Sequence, residues 1–276
     1  MMTNFKKALA NKGFVVGGCI FLTIALIALV GPLVWTVDPN AQEMTLRLST
    51  PSPAHPFGCD DFGRDLLARV IVGARVSLGV GIAVTLATSA LGLVIGAYAC
   101  YNERLDHILM RICDGLMSIP GVLLAIALMA MMGASVWNVI IALSIVYTPS
   151  MARIVRSRAM VVKEEPFVEA LRVQGASTAR IVWLHIVPNV MAPFLVQATF
   201  VFAEAVLSEA ALSFLGLGIK APDASWGNIL QAGKNVMRKA WWMIFFPAAA
   251  ILASVLSLNL AGDGLRDALD PKTKED

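Results

Sequence analysis

The chain is poor in charge, and this scarcity limits what kind of protein it can be. Only 15% of its 276 residues are charged, while 58% are hydrophobic, which excludes an ordinary soluble domain of this size. The net charge of +3 gives no indication of nucleic-acid binding. We therefore expect an integral membrane protein that is surrounded by membrane lipid and has no nucleic-acid partner.

Cysteine and histidine are also scarce, with four and three residues respectively. The cysteines form no CxxC pair, and Cys19, Cys100 and Cys113 lie in or beside apolar runs. Only Cys59 falls in a polar segment that we expect to face an oxidising side, and His55 has no second ligand at metal-binding spacing. We predict no disulfide, no metal site and no cofactor.

Nucleotide-binding and catalytic motifs are missing as well. Gly233-Lys234 lacks both the upstream Gly and the following Ser or Thr of a phosphate-binding loop. Residues 216–221 fit a loose dinucleotide pattern, but they follow an apolar helix rather than a strand. No HExxH is present, and no Ser or Cys has a clear base partner. These absences predict a protein that is not an enzyme and has no ATPase site of its own.

Long uncharged runs are what the chain has in abundance, and one span of a bilayer needs about 20 apolar residues. A lysine-rich start precedes residues 14–35, so we predict a cytoplasmic N-terminus (1–13) and a first transmembrane helix. The run 115–152 has room for two spans joined by a turn at 132–138, with kinks at its prolines. The remaining spans are predicted at residues 76–102, 190–213 and 241–260. The result is an all-α membrane protein with six transmembrane helices.

Polar segments between the spans assign the two sides of the membrane. We predict a periplasmic loop with a short helix at residues 36–74, a second periplasmic loop at residues 214–240, and a cytoplasmic tail at residues 263–276. The second loop holds four Lys or Arg and one acid, against the positive-inside rule, but the basic N-terminus and residues 153–180 outweigh it. Residues 75–262 form the core of the protein.

Two side-chain patterns inside the core predict how its helices meet. Ser77, Gly81, Thr85 and Ser89 recur every four residues, and a Gly-xxx-Gly pair follows at 92 and 96. This spacing predicts close helix packing, within the subunit or between subunits, and we favour packing within it. A pairing of Arg111 with Asp114 is predicted from their i,i+3 spacing.

The segment 163–188 is polar, although long uncharged runs flank it on both sides. Glu165-Pro166 predicts a helix start, since Pro suits the first turn and an acid there suits the helix dipole. Phe167, Val168 and Leu171 predict one apolar stripe. A Gly break and a second amphipathic turn at 181–184 follow. The residues alone indicate two short helices held at the membrane surface.

This segment resembles the EAA loop of ABC-importer permeases in the spacing of five residues: Glu169, Ala170, Leu171, Gly175 and Pro188. It departs from the general pattern where Leu replaces the second Ala and where His185 stands in place of Ile. The resemblance implies a loop that docks in a cleft of a separate ATPase and transmits its motion.

Three further segments resemble the C-type permease subunit of dipeptide, oligopeptide, nickel and glutathione importers. They begin at His55 (HPFGCDDFGRD), Ser213 (SFLGLG) and Asn259 (NLAGDGLRDALDP). The resemblance spans nearly the whole chain and implies the type I ABC-importer permease fold. It also implies a second permease subunit in a heterodimer, two ATP-binding subunits and an external solute-binding protein. Di- or oligopeptides are the implied substrates, with nickel chelates, glutathione or another small solute as the alternative.

Two carboxylates, Glu204 and Glu209, lie inside the predicted fifth span, where a charge costs at least about 2.5 kcal/mol. They either line a translocation path or pair with polar groups of another helix or subunit. Their five-residue spacing prevents both from sharing one helix face. A proton-coupled secondary transporter with one of them as the carrier is a second hypothesis, but no internal repeat supports it. A membrane scaffold without transport has no positive evidence.

Overall fold

The computed structural model describes Leu9 and residues 11–269, and the regular structure of this part is helical apart from one isolated bridge. The helices are α1 (Lys12–Val34), α2 (Leu66–Tyr101), α3 (Glu103–Met117), α4 (Gly121–Met132), α5 (Val136–Lys163), α6 (Pro166–Val173), α7 (Thr178–Ile181), α8 (Val187–Phe214), α9 (Trp226–Lys234) and α10 (Trp242–Leu269). A 3-10 turn (Met44–Leu46) lies between α1 and α2, and a π-helical turn (Val182–Ile186) joins α7 to α8. Both predicted terminal segments extend beyond the described residues.

Five of these helices are long and apolar enough to cross a membrane, and the bent pair α3–α4 brings the number to six if it forms one span. The prediction of an all-α membrane protein is confirmed. The third span begins earlier than predicted, with the charged helix α3, and the kink predicted at Pro120 is found as a break between two helices. Its two helices meet at 90° across the break that contains Pro120.

The second span begins at Leu66, well before the uncharged run that predicted it. The Asp65 side chain accepts a hydrogen bond from the Ala68 N–H at 2.7 Å and caps the helix. The short helix predicted in the first loop is therefore the first turns of α2. The two arginines on this helix are tolerated because backbone carbonyls accept hydrogen bonds from them. Arg69 donates to the carbonyl of Pro39, and Arg75 donates to that of Ala28.

Small residues on α2 let neighbouring helices approach closely. A Cβ atom placed on Gly81 would lie 2.6 Å from the Phe202 ring of α8, and one on Gly96 would lie 2.5 Å from the Ala152 carbonyl of α5. Ser77 bonds to α8 as well. These small residues thus allow close packing within the subunit, which is the alternative that their spacing led us to favour.

Ion pairs attach α3 to α5 at the end of the bundle that carries the 163–188 segment. Arg153 donates to Asp114 at 2.8 Å, and Arg156 forms a two-bond ion pair with Asp106. The predicted pairing of Asp114 with Arg111 is therefore wrong. Asp114 pairs with Arg153 of α5 and not with Arg111 on its own helix.

The fifth and sixth spans are both longer than predicted. Helical structure runs without interruption from Thr178 to Phe214, so Pro188 begins α8 rather than ending the preceding segment. A π-helical turn shifts the hydrogen-bond pattern just ahead of this residue, which has no N–H to donate. The predicted tail begins as helix, since α10 continues to Leu269. Its end packs on the start of α1, where the Asn11 amide donates to Asp267 at 3.3 Å.

At the opposite end, the loop between α1 and α2 is folded against α10. The Trp242 indole donates to the Cys59 carbonyl at 3.1 Å, and the Phe57 and Phe246 rings stack with centroids 3.7 Å apart. Cys59 is fully buried, so the expectation that its side chain faces the outside is wrong. His55, for which no carboxylate partner was expected, bonds through Nδ1 to Asp65 at 2.8 Å.

Candidate coupling loop and transport path

The 163–188 segment contains a short helix (α6), a turn at Gly175 and then α7, which continues through the π-helical turn into α8. The predicted helix start and glycine break are confirmed, but the predicted second turn at 181–184 is part of this longer helix and not a separate element. Pro166 occupies the first turn of α6, after Glu165 as the N-cap residue. Gly175 has φ +79°, and its N–H bonds to the carbonyl of Arg172 while the next N–H bonds to that of Leu171. This pair of bonds is the Schellman motif, which favours glycine because of the positive φ. Ser177 then caps α7.

Buried aliphatic residues attach both short helices to the bundle. Val168 of α6 and Ile181 of α7 are fully buried in one apolar cluster with residues of α2, α5 and α8. Leu171 packs against the same cluster, whereas Phe167 is 42% exposed. The predicted stripe is therefore correct for Val168 and Leu171 and wrong for Phe167.

Three polar contacts fix the segment to the C-terminal end of α2. The Lys163 ammonium donates to the Cys100 carbonyl at 3.0 Å. The Arg172 guanidinium lies 5.3 Å from the centre of the Tyr101 ring, within cation–π range. The Trp183 indole donates to the Tyr98 hydroxyl at 3.1 Å. These contacts join residues far apart in sequence, and no motif in the chain points to them.

The outer surface of the segment is free. Glu169, Ala170 and Gly175 are exposed, and the Glu169 carboxylate has no hydrogen bond or ion pair with any residue that the structure describes. Pro188 is also exposed but lies further along, in the first turn of α8. The structure thus places the first three residues on one exposed surface of this unit, which we call the candidate coupling loop, or coupling loop for short (residues 163–181).

Glu209 is a fully buried residue with hydrogen-bond partners on both sides. The Ser77 hydroxyl of α2 donates to Oε2 and the Ser213 hydroxyl to Oε1, each at 2.7 Å. The two serines also accept backbone N–H groups, from Trp226 and Ile219 respectively. Glu209 therefore lies at the centre of a network that joins α2, α8 and the segment leading to α9.

Glu204 has the opposite surroundings, in agreement with the prediction that the two acids do not share one helix face. Its side chain is exposed, and its carboxylate has no partner among the described residues. Ser208 lies one turn further on the same helix and exchanges a 2.7 Å hydrogen bond with the Tyr147 hydroxyl of α5. Tyr147 and Ser208 were not predicted as part of a site, although the i,i+4 spacing of Ser208 from Glu204 was a usable signal.

The loop end of the bundle, opposite the coupling loop, carries a basic surface. Arg47, Lys234, Arg238 and Lys239 line a cavity of about 570 Å³ there, and all four are exposed. The neighbouring Asp60 is buried and accepts a 2.6 Å hydrogen bond from Arg64. This is the region whose charge opposed the positive-inside rule.

Comparison with known proteins assigns the chain to a family. The family described as "Binding-protein-dependent transport system inner membrane component" matches residues 88–275, and "N-terminal TM domain of oligopeptide transport permease C" matches residues 4–51. A putative peptide transport system permease protein of Brucella abortus is 46% identical over 269 residues, covering 98% of this chain and 91% of that protein. The dipeptide transport system permease protein DppC of Alkalihalophilus pseudofirmus is 42% identical, covering 98% and 89%. The oligopeptide transport system permease protein OppC of Bacillus subtilis is 39% identical, covering 96% and 88%.

Fold and matches together define a class: a multi-pass transport protein of the inner membrane. Within that class, the chain belongs to the binding-protein-dependent transport system inner membrane component family, the permease subunits of ABC importers. Such a permease works together with the other components of its importer. The resemblance drawn from the EAA-like segment is confirmed, and the hypothesis of a proton-coupled secondary transporter loses its basis.

Proposed function

We propose that this chain forms one half of the translocation path of an ATP-driven importer for di- or oligopeptides, and that a second permease supplies the other half. The observation that carries the proposal is the exposed coupling loop, which is attached to the transmembrane bundle by buried side chains. The substrate class is supported by the names of the relatives, which include dipeptide and oligopeptide permeases. Nickel chelates or other small solutes are the alternative cargo.

The coupling loop is the proposed contact with an ATP-binding subunit. Its surface around Glu169, Ala170 and Gly175 is free of internal partners and projects from the bundle. Val168 and Lys163 carry a displacement of this surface to α2 and α5, because both residues are fixed to those helices. ATP is hydrolysed by the partner in this scheme, since the chain has no phosphate-binding loop.

A polar strip on α8 is the proposed lining of the path. Glu204 and Ser208 lie on one face of this helix, and the Tyr147 hydroxyl extends the strip to α5. An exposed carboxylate in a span requires a cavity or a partner, because lipid does not solvate it. A second permease facing this strip would enclose it in a water-filled path. Glu209, whose oxygens are both bonded within the subunit, has a bracing role here.

The orientation that fits this scheme has both termini and the coupling loop in the cytoplasm. The loop end then faces the periplasm, where its basic surface, formed by Arg47, Lys234, Arg238 and Lys239, is available to the solute-binding protein. Charges on such a surface mainly accelerate association and select the partner. We expect this contact to weaken as the salt concentration rises.

Uptake by the assembled importer in vesicles tests the proposal. Glu169→Lys combined with Ala170→Asp changes the charge and size of the free surface and leaves buried Val168 in place, so the protein should insert normally. We expect loss of ATP-dependent uptake and of ATPase co-purification. Glu103→Lys, an exposed reversal at the start of α3, is the matched control and should retain both. Normal coupling in the double variant would refute the assignment of the loop.

A further inference from the structure

A second cavity at the loop end, next to the basic surface, has buried charged side chains in its wall. Its volume is about 380 Å³, within the range of about 300–1,000 Å³ that is typical of small-ligand sites. Most of the wall comes from residues 60–69, from the loop after α8 (216–221) and from residues 228–235 of α9 and its end. The wall contains one acid, Asp60, and four basic residues: Arg64, Arg69, Lys220 and Lys234. This excess of positive charge favours an anion.

Arg64 has unused hydrogen-bond donors in this wall. Only 6% of the residue is exposed, and its Nε donates to Asp60 at 2.6 Å. The centre of the Phe62 ring lies 4.7 Å from the guanidinium carbon and covers one face of the group. The two terminal nitrogens donate to no residue in the described part of the chain. Buried donors without acceptors are costly, so an anion that accepts hydrogen bonds from them is favoured.

Asp60 cannot satisfy these donors, because both of its oxygens already have partners. Oδ1 accepts the N–H groups of Phe62 and Arg64 at 2.8 and 2.9 Å. Oδ2 lies 2.6 Å from Nε of Arg64 and 3.6 Å from Nε of Arg69. The next acid, Asp61, is not part of the cavity wall. Asp60 therefore fixes the two guanidinium groups in place and leaves the excess of positive charge on the wall.

Two amide side chains complete the polar part of the wall. Gln231 and Asn235 both line the cavity, and neither amide has a hydrogen bond to any residue that the structure describes. A primary amide donates and accepts, as a peptide group does. Guanidinium groups beside free amides therefore match a carboxylate that is followed by a peptide group, which is the C-terminal end of a peptide. Because Arg64 and Arg69 are only 6% and 4% exposed, a small flexible ligand reaches them more readily than the surface of a folded protein.

We propose that this cavity receives the C-terminal carboxylate of the peptide cargo on the periplasmic side of the membrane. The carboxylate accepts hydrogen bonds from Arg64, and the two amides bond to the last peptide group. The identity of the ligand and the side of the membrane rest on the function proposed above. The loop that contributes Gly216 follows α8 directly, and Ser208 lies about 9 Å before the end of that helix. Along the α8 axis, the cavity is thus the next polar site beyond the strip formed by Glu204 and Ser208.

Thiol protection in the assembled importer, reconstituted in nanodiscs without the solute-binding protein, tests the proposal. Ala221→Cys places an accessible thiol on the cavity wall and leaves every charge unchanged. Met237→Cys, on the exposed wall of the neighbouring basic cavity, is the matched control. We expect alanyl-phenylalanine to slow labelling of the first thiol and not of the second. Its C-terminal amide should protect at least about tenfold less well, because hydrogen bonds to a charged group contribute most. Equal protection by the two peptides would overturn the proposal.

Two charge variants in the Ala221→Cys background test the wall itself. Arg64→Gln should raise the half-protecting concentration of the dipeptide at least about tenfold. Lys220→Glu should raise it roughly fivefold, because an exposed charge contributes less than a buried one. Arg238→Glu, the same change at an exposed position of the neighbouring cavity, should leave it unchanged. Unchanged protection in the Lys220→Glu variant would overturn the proposal even if Arg64→Gln does not fold.

Other occupants give different results. Acetate or phosphate that protects as well as the dipeptide at equal concentration would identify a site for simple anions and overturn the peptide assignment. Protection by cargo-free solute-binding protein, with none by the dipeptide, would identify a protein occupant and overturn it as well. All of these readouts are independent of ATP. Uptake of the dipeptide that requires ATP, together with no protection of the Ala221→Cys thiol, would refute the cavity assignment and leave the proposed function intact.

Discussion

Replacement of Glu209 separates a bracing role from a transport role. Glu209→Ala removes the acceptor of two buried serine hydroxyls, from Ser77 and Ser213. Only the Ser77 bond joins two transmembrane helices, and such a bond contributes about 0.6 kcal/mol and at most about 1.7. The Ser213 bond is an i,i+4 contact within α8, and pairs at this spacing contribute about 0.2–0.5 kcal/mol. The two bonds together therefore stabilise the fold by about 1–2 kcal/mol, and the cavity left by the side chain adds to the loss.

Glu209→Gln keeps the size of the side chain and both contacts. Its amide oxygen accepts from one serine, and its NH₂ group donates to the other, whose oxygen has a free lone pair. We expect this variant to lose less than about 1 kcal/mol, since only the charge assistance of the bonds is removed. Stability should thus decrease in the order Glu, Gln, Ala.

The assay combines thermal unfolding of the purified importer with uptake in vesicles. We expect Ala to lower the unfolding temperature clearly more than Gln. Uptake by the Gln variant should be reduced in proportion to stability, require ATP and be insensitive to an ionophore. A Gln variant of full stability with no uptake would refute the bracing role and place Glu209 in the path. Uptake that persists without ATP and disappears with the ionophore would refute ATP-driven transport.

Three other predictions concern single positions. Gly175→Pro should abolish uptake without preventing insertion, because proline cannot adopt φ +79°; an active variant would contradict the coupling geometry. Cys59 should resist an impermeant thiol reagent from outside, since burial and Asp65 raise its pKa to about 11, whereas Asp223→Cys should be labelled and Gln174→Cys should not in sealed cells. Rapid labelling of Cys59 would show that the first loop opens. Glu204→Gln should lower uptake without lowering the unfolding temperature, because its carboxylate has no partner to lose; equal uptake would exclude it from the path.

Local chemistry explains what the sequence could predict. The start of α6 at Glu165-Pro166 and its end at Gly175 depend on capping groups and φ preferences within a few residues. For the same reason, the turn between α4 and α5 is found where predicted, with Ser135 as the cap of α5. The position of α6 and of the turn that follows it was therefore foreseeable, whereas the continuation of α7 into α8 was not.

Contacts between distant parts of the chain explain what the sequence could not predict. The start of α2 at Leu66 was not predicted, because Arg69 and Arg75 interrupt the uncharged run. The carbonyls that accept hydrogen bonds from these arginines lie 30 and 47 residues away in the sequence. The ion pair of Asp114 with Arg153, and the bond between His55 and Asp65, likewise depend on how helices and loops meet. Glu209 was foreseeable as a buried acid, but not its two serine partners.

One helix reaches both functional ends of the molecule. α2 runs for 36 residues without a proline, about 54 Å, from the Asp65 cap to Tyr101 beneath the coupling loop. Its first residues contact the loop that bears His55, and its last contact Arg172 and Trp183. In the importer proposed above, one continuous helix therefore connects the side that receives cargo to the side that contacts the ATP-binding subunit.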